Sequence, residues 1–155
     1  MSAEQSTEQD QLIIGTPLGR MRGIRRPVEG RNDITSFMGI PFAQAPVGDL
    51  RFAAPVPVGP WDGIRDALAF GPTPQRGDPG VTLIPEPSVP GESTLSLNVT
   101  TPAAGDSDAR LPVLVWIHGG GFFAGSPASP WYNSSGSARD GVVSVVVSYR
   151  LGFDG

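Results

Sequence analysis

Two continuous runs of apolar, mostly β-branched residues constrain the fold of this chain more than any other feature. The first is Val113–Ile117, and the second is Val142–Tyr149, which only two serines interrupt. Such runs are typical of strands that are buried on both faces of a sheet, as in α/β proteins. The intervening residues, 119–141, are long enough for a crossover with a short helix near Ser134–Arg139. The sequence therefore predicts the beginning of an α/β sheet.

The region before these runs predicts a small antiparallel β structure. Two β-like segments, Leu12–Ile14 and Arg20–Arg25, flank a turn rich in proline and glycine and predict a hairpin. Further strands are predicted at Ile34–Ile40 and in the segment 95–100, where apolar and polar residues alternate.

A proline-dense segment, residues 41–60, separates two of the predicted strands. It contains five prolines. Because each proline removes a donor from the hydrogen-bond ladder, the segment is not expected to form a central strand. We expect an ordered coil that is anchored by Phe42, Phe52 and Trp61.

Composition excludes several classes of function. The chain has 155 residues and a formal net charge of −4, so it lacks the basic surface that is typical of nucleic-acid-binding proteins. No apolar run is long enough to span a membrane, and the absence of a signal-peptide pattern predicts a cytoplasmic protein. The absence of cysteine excludes disulfides and Cys-ligated zinc, and no metal or other cofactor is expected. Residues 1–11 are polar and predict a disordered tail before a domain at 12–155.

A glycine loop that follows the first apolar run is the most informative site. His118 is followed by Gly119, Gly120 and Gly121. Glycine lets main-chain N–H groups approach a ligand without a Cβ in the way, and two such groups can stabilise an oxyanion. A tight turn that requires glycine is the alternative interpretation, whereas no Walker-type Lys or Ser/Thr follows to support a phosphate site. The His-Gly-Gly-Gly pattern after an apolar strand is the oxyanion-hole pattern of α/β-hydrolase lipases and esterases.

Several further motifs occur in one characteristic order along the chain. They are Phe37-Met38-Gly39-Ile40-Pro41-Phe42-Ala43, Pro46-Val47-Gly48-Asp49-Leu50-Arg51-Phe52, Pro60-Trp61-Asp62-Gly63, Leu95-Ser96-Leu97-Asn98-Val99, the segment Val115–Phe122 and Ser148-Tyr149-Arg150-Leu151-Gly152. Together they resemble the N-terminal part of type-B carboxylesterases, the group that includes cholinesterases. The resemblance implies an α/β class, the N-terminal part of an α/β-hydrolase fold, in which a small antiparallel β region precedes the first strands of the central mixed sheet. It implies a serine esterase that acts on small-molecule esters, with oxyanion-hole N–H groups from Gly120 and Gly121.

The catalytic residues of such an enzyme are absent from this sequence. The nucleophile motif G-x-S-x-G does not occur, and Ser93, the nearest candidate, is followed by Leu95 where the motif requires glycine. His118 is the only histidine, and its position in the oxyanion motif suits a structural role. A Ser-His-Asp triad therefore cannot form within one chain. We expect an N-terminal portion of an esterase that is inactive alone and has the missing C-terminal portion as its partner.

Two alternatives to an esterase portion remain open. One is a catalytically inactive relative that serves in binding or adhesion, and the other is a non-functional truncated product.

The resemblance also implies particular contacts. It pairs Arg51 with Glu92, and it places the acidic partner of Arg150 beyond the last residue, so that Arg150 is expected to be exposed or unpaired. Thr73 and Thr94 stand where many members of the family carry a pair of cysteines. In the implied strand order, Val113–Ile117 lies at an open edge of the sheet, with both faces largely uncovered.

Overall fold

The computed structural model describes residues 11–74 and 80–155, which form a seven-stranded mixed sheet and one short α-helix. The elements are β1 (Gln11–Thr16), β2 (Gly19–Arg26), β3 (Ile34–Pro41), β4 (Ile64–Asp66), β5 (Ser96–Thr101), β6 (Val113–Ile117), α1 (Ser135–Arg139) and β7 (Val143–Val147). The strand order is β1-β2-β3-β5-β7-β6, and β4 pairs with β2 outside this path. None of the described helices is both long and apolar enough to cross a membrane.

The N-terminal hairpin is confirmed. Strands β1 and β2 are antiparallel, and Thr16 lies opposite Gly19 across a two-residue turn. Strand β4, which no sequence pattern predicts, runs parallel to β2. Trp61 fixes this pairing, since its Nε1 donates to the Arg20 carbonyl oxygen and its main-chain N–H donates to that of Leu18, each at 2.8 Å.

The predicted crossover is also confirmed. Strands β6 and β7 are parallel, with Val113 opposite Val143 and Ile117 opposite Val147, and α1 lies in the connection between them. Strand β5 joins β7 to β3 through antiparallel pairs on both of its sides. The register of β3 shifts after Phe37, where the N–H of Gly39 leaves the ladder and donates to Asn98 Oδ1 at 2.9 Å.

The hydrophobic core lies at the N-terminal end of the sheet. Phe37 is 2% exposed and packs with Met21 and Ala67. A Cβ at Gly23 would lie 2.6 Å from the Phe37 ring, so only glycine leaves room for this ring. The core therefore ties β2 and β3 to the segment that follows β4.

The expectation about the coil needs correction, whereas most of the predicted tail lies outside the described residues. Trp61 packs against the core, but Phe42 and Phe52 are exposed and do not anchor the proline-dense segment. The segment is held instead by the bridge between Ala43 and Pro57. The predicted disordered tail, residues 1–11, lies outside the described residues except for Gln11, which begins β1.

Strand β6 forms an edge of the sheet, as expected, because β7 is its only neighbour among the described strands. The apolar run predicts burial on both faces, but every residue of β6 is exposed, from 46% at Leu114 to 69% at Ile117. The described residues cover the side chains of β6 only in part, and Trp116 packs against Tyr132 with ring centroids 5.6 Å apart. The run thus indicates where the strand lies, whereas the burial that it predicts on both faces is not found in the described part of the chain.

Candidate functional site

The glycine loop follows directly after β6. Gly120 and Gly121 have φ values of 131° and 62°, and Phe122 continues the positive φ angles at 67°. A Cβ at Gly120 would lie 2.0 Å from the Ala124 carbonyl oxygen, whereas a Cβ at Gly119 would meet nothing within 4 Å. The loop is therefore a tight turn in which glycine is required at position 120 but not at position 119.

The N–H groups of Gly120 and Gly121 have no acceptor among the described residues. Within residues 11–74 and 80–155, neither the Gly120 N–H nor the Gly121 N–H donates a hydrogen bond, while the Gly120 carbonyl oxygen accepts from the N–H groups of Phe123 and Ala124. Gly121 is exposed and Gly120 is partly exposed. Both donors are thus available to an acceptor that enters from outside the chain, as an oxyanion hole requires.

His118 supports the loop from within. The residue is 2% exposed, and Nδ1 lies 2.9 Å from the Gly119 carbonyl oxygen. Because a carbonyl oxygen only accepts, Nδ1 carries the proton in this contact. Gly125 packs against the imidazole so closely that a Cβ there would lie 2.4 Å from Nδ1. The expected structural role of His118 agrees with this packing.

The segment after β7 holds both ends of the loop. The Tyr149 hydroxyl donates to the His118 carbonyl oxygen at 2.5 Å, and the two rings stack with centroids 4.4 Å apart. Four residues beyond the histidine, the Phe122 carbonyl oxygen accepts from the N–H of Gly152 at 2.7 Å. Tyr149 belongs to the sequence motif Ser148-Tyr149-Arg150-Leu151-Gly152, which by itself predicts no role for the hydroxyl.

The segment before β5 holds the far side of the loop. Glu86 Oε2 accepts from the N–H of Gly125 at 2.9 Å, and the Pro87 carbonyl oxygen accepts from Ser126 Oγ at 2.6 Å. Burial raises the pKa of the nearby Tyr132 above the ordinary tyrosine value, and the Glu86 carboxylate raises it further. These contacts have no signal in the sequence, since residues 71–91 show only loop composition.

The sequence model of the carboxylesterase family matches residues 10–155. The chain belongs to the carboxylesterase family. The medium-chain fatty acyl-CoA hydrolase precursor of Anas platyrhynchos is 38% identical over 97% of this chain and 28% of the relative. The fumonisin B1 esterase of Sphingopyxis macrogoltabida is 39% identical over 96% of the chain and 26% of the relative.

A solved carboxylesterase structure has the same fold as this carboxylesterase chain. The crystal structure of carboxylesterase EST55 from Geobacillus stearothermophilus superposes with a TM-score of 0.75 and 41% identity, over 92% of this chain and 27% of that one. The expected class is therefore confirmed: the chain has part of an α/β-hydrolase fold. It spans about a quarter of the length of the relatives that it matches.

One expected contact of this carboxylesterase chain is wrong. Arg51 Nε lies 2.7 Å from Asp154 Oδ1, and among the described residues Glu92 forms no ion pair. The 3-10 turn Gly152–Asp154 carries its carboxylate to Arg51, so the pair ties the proline-dense coil to the turn after β7. Both side chains are partly exposed, 54% and 35%, so the pair is worth at most about 1 kcal/mol.

The structure also shows the surroundings of the other residues that the resemblance singles out in this carboxylesterase chain. Arg150 has no acidic partner in the described part of the chain, and its Nη1 donates to the Ala53 carbonyl oxygen at 2.8 Å. Thr73 and Thr94 are buried, and Thr73 Oγ1 accepts from the N–H of Val89. Ser93 is exposed and shares no contact with the histidine, which agrees with its exclusion as the nucleophile.

Proposed function

We propose that residues 11–155 form the oxyanion-stabilising portion of a carboxylic-ester hydrolase that acts on small-molecule esters. Membership of the carboxylesterase family supports the reaction class. The observation that carries the assignment is the pair of N–H groups at Gly120 and Gly121, which have no acceptor among the described residues and follow directly after β6.

The proposed chemistry requires these donors when the ester carbonyl is attacked. The carbonyl oxygen becomes negatively charged as the tetrahedral intermediate forms, and fixed N–H groups stabilise that charge more than they stabilise the neutral ester. Donors from Gly120 and Gly121 supply this stabilisation. Removal of one oxyanion-hole donor typically lowers kcat by about 100- to 1,000-fold.

His118 is not the general base in this proposal. Its Nδ1 proton is directed to the Gly119 carbonyl oxygen, and the ring is enclosed by the loop. The nucleophilic serine, its general base and the acid that orients the base are proposed to come from the three quarters of a carboxylesterase that this chain does not span. The ester substrate is therefore bound between this chain and that portion.

The proposal is tested with a chimera in which residues 11–155 replace the matching 27% of the Geobacillus stearothermophilus carboxylesterase. Hydrolysis of an activated acetyl ester is measured for the chimera and for two matched variants. We expect turnover by the chimera and by Gly119→Ala, whose Cβ meets nothing within 4 Å. We expect Gly120→Ala to lower kcat by about 100- to 1,000-fold, because its Cβ displaces the turn that aims both donors.

Two results would contradict the proposal. A chimera that unfolds cooperatively but does not hydrolyse the ester would favour the alternative of an inactive binding relative. Equal kcat values for Gly119→Ala and Gly120→Ala would show that the loop does not act on the reacting carbonyl.

A further inference from the structure

The oxyanion loop contains three consecutive glycines, and glycine has more backbone freedom than any other residue. Donors act in catalysis only when they are fixed before the charge develops. We infer that Tyr149 is a positioning residue for this reaction: its hydroxyl holds the His118 carbonyl and thereby fixes the direction of the Gly120 and Gly121 N–H groups. This inference rests on the proposed function and adds a residue outside the loop to it.

The geometry shows how one hydroxyl restrains the turn. The peptide group between His118 and Gly119 is planar, so a hydrogen bond to its oxygen also fixes the N–H of Gly119, the residue that precedes the two donors. Tyr149 makes this bond at 2.5 Å. The peptide group after Phe122 is held in the same way, because the N–H of Gly152 donates to the Phe122 oxygen at 2.7 Å. The three glycines therefore lie between two restrained peptide groups.

The same tyrosine also holds the imidazole in place. Its Oη lies 3.3 Å from His118 Nδ1, whose proton is directed to the Gly119 carbonyl oxygen, while the hydroxyl donates to the His118 carbonyl oxygen. The stacked rings keep the hydroxyl at this position. His118 and the loop backbone are thus held as one unit by a group that belongs to the segment after β7.

Tyr132 provides a matched control. It is the other tyrosine of the chain and also stacks on His118, with ring centroids 6.4 Å apart. Its hydroxyl bonds to no residue of the described ranges. Tyr132→Phe and Tyr149→Phe therefore each remove one hydroxyl from a ring that stacks on the same imidazole, and only the second removes a bond to the loop.

The test measures kcat and KM in the chimera described above. We expect Tyr149→Phe to lower kcat by about 10- to 100-fold, the size of effect that a small misplacement of catalytic groups produces. KM should stay the same, because the donors act on the transition state. Tyr132→Phe should keep both values within about twofold of the unaltered chimera. In the Gly120→Ala background, Tyr149→Phe should have little further effect, since both changes act on the same donors.

A spectroscopic measurement tests the contact without catalysis. The 155-residue chain has a single histidine, so ¹³C-carbonyl labelling of histidine gives one signal, which magic-angle-spinning NMR detects even in associated material. The signal should lie at the position of a hydrogen-bonded carbonyl, move in Tyr149→Phe and stay in Tyr132→Phe.

The outcomes distinguish the positioning role of Tyr149 from the proposed function on which it rests. If the chimera is active and Tyr149→Phe keeps its kcat, the inference is wrong and the proposed function stands. If the folded chimera is inactive, the proposed function fails, and with it the positioning role that rests on it. If Tyr149→Phe does not fold, the carbonyl signal of the unaltered chain decides, and a position typical of a free carbonyl overturns the inference.

Discussion

Val115 of β6 lies opposite Val145 of β7 in the parallel register, yet Val115 is 53% exposed while Val145 is much less exposed. The difference arises because β7 has strands on both sides, whereas β6 has a neighbour on one side only within the described ranges. The outer edge of β6 therefore presents backbone donors and acceptors beside five exposed apolar side chains. An uncharged edge of this kind is prone to pair with another chain.

We predict that the 155-residue chain associates in solution through β6. Val115→Lys should shift the material towards the monomer of 16.2 kDa, because a charge within an edge strand opposes strand pairing. Size-exclusion chromatography with light scattering measures the effect. Leu83→Lys is the control, since Leu83 is 88% exposed in a loop and should leave association unchanged. A sharp monomer peak for the unaltered chain, with cooperative unfolding, would contradict this prediction.

We predict that the isolated chain does not hydrolyse esters. The chain lacks the G-x-S-x-G motif, and its single histidine is 2% exposed beside the glycine loop. Donors without a nucleophile and a general base cannot complete acyl transfer. The measurement is hydrolysis of an activated acetyl ester by repeatedly purified chain, with Ser93→Ala beside it to exclude the one nucleophile candidate. Activity that persists through purification and disappears in Ser93→Ala would refute the prediction.

We predict that Gly23→Ala destabilises the fold and that Gly15→Ala does not. A Cβ at Gly23 would lie 2.6 Å from the Phe37 ring, so the buried ring must leave its position, at a typical cost of about 1–3 kcal/mol. Gly15 lies on the partner strand of the same hairpin, and a Cβ there meets nothing within 4 Å. Thermal unfolding in the Val115→Lys background, where association is suppressed, compares the two. Equal unfolding temperatures would show that the ring has room to move.

The long elements follow from local pattern. The apolar runs and the alternating segment locate β5, β6 and β7, and the turn residues locate the hairpin, because these signals depend on neighbours in sequence. Strand β4 has only three residues and carries no period of its own. It pairs with β2 because the Trp61 indole bonds to Arg20, which is a contact between distant parts of the chain.

The candidate site likewise combines features that local sequence pattern predicts with features that depend on contacts between distant residues. The loop and its donors follow from the glycines after an apolar strand, whereas their support depends on which side chains meet them in three dimensions. Tyr149 is visible as part of a motif, but only the 2.5 Å contact assigns its hydroxyl to the His118 carbonyl. The pairing of Arg51 with Glu92, which the resemblance implies, is wrong for the same reason. The turn that places Asp154 beside Arg51 has no signature in sequence.

We predict that the two tyrosines of the folded chain ionise only above the ordinary tyrosine pKa of 10.0. Burial is the main cause that raises the pKa of Tyr149, and the neighbouring Tyr132 adds to it. For Tyr132, burial again contributes most, followed by the Glu86 carboxylate. The folded state therefore favours the neutral phenols, and this stabilisation is fully present below pH 10 and is lost as the pH rises through the folded-state pKa values.

Absorbance of tyrosinate against pH measures both groups, since the chain has only two tyrosines. The folded chain should titrate at higher pH than the same chain in denaturant, and the free energy of unfolding should fall with rising pH in that interval. Glu86→Gln should lower the pKa of Tyr132, because it removes the repulsion between the carboxylate and the phenolate. Tyr149→Phe isolates Tyr132, and Tyr132→Phe isolates Tyr149, whose pKa should then fall because the second phenolate is gone. Folded and denatured chains that titrate together would show that neither hydroxyl is desolvated, which would also weaken the assignment of Tyr149 to the oxyanion loop.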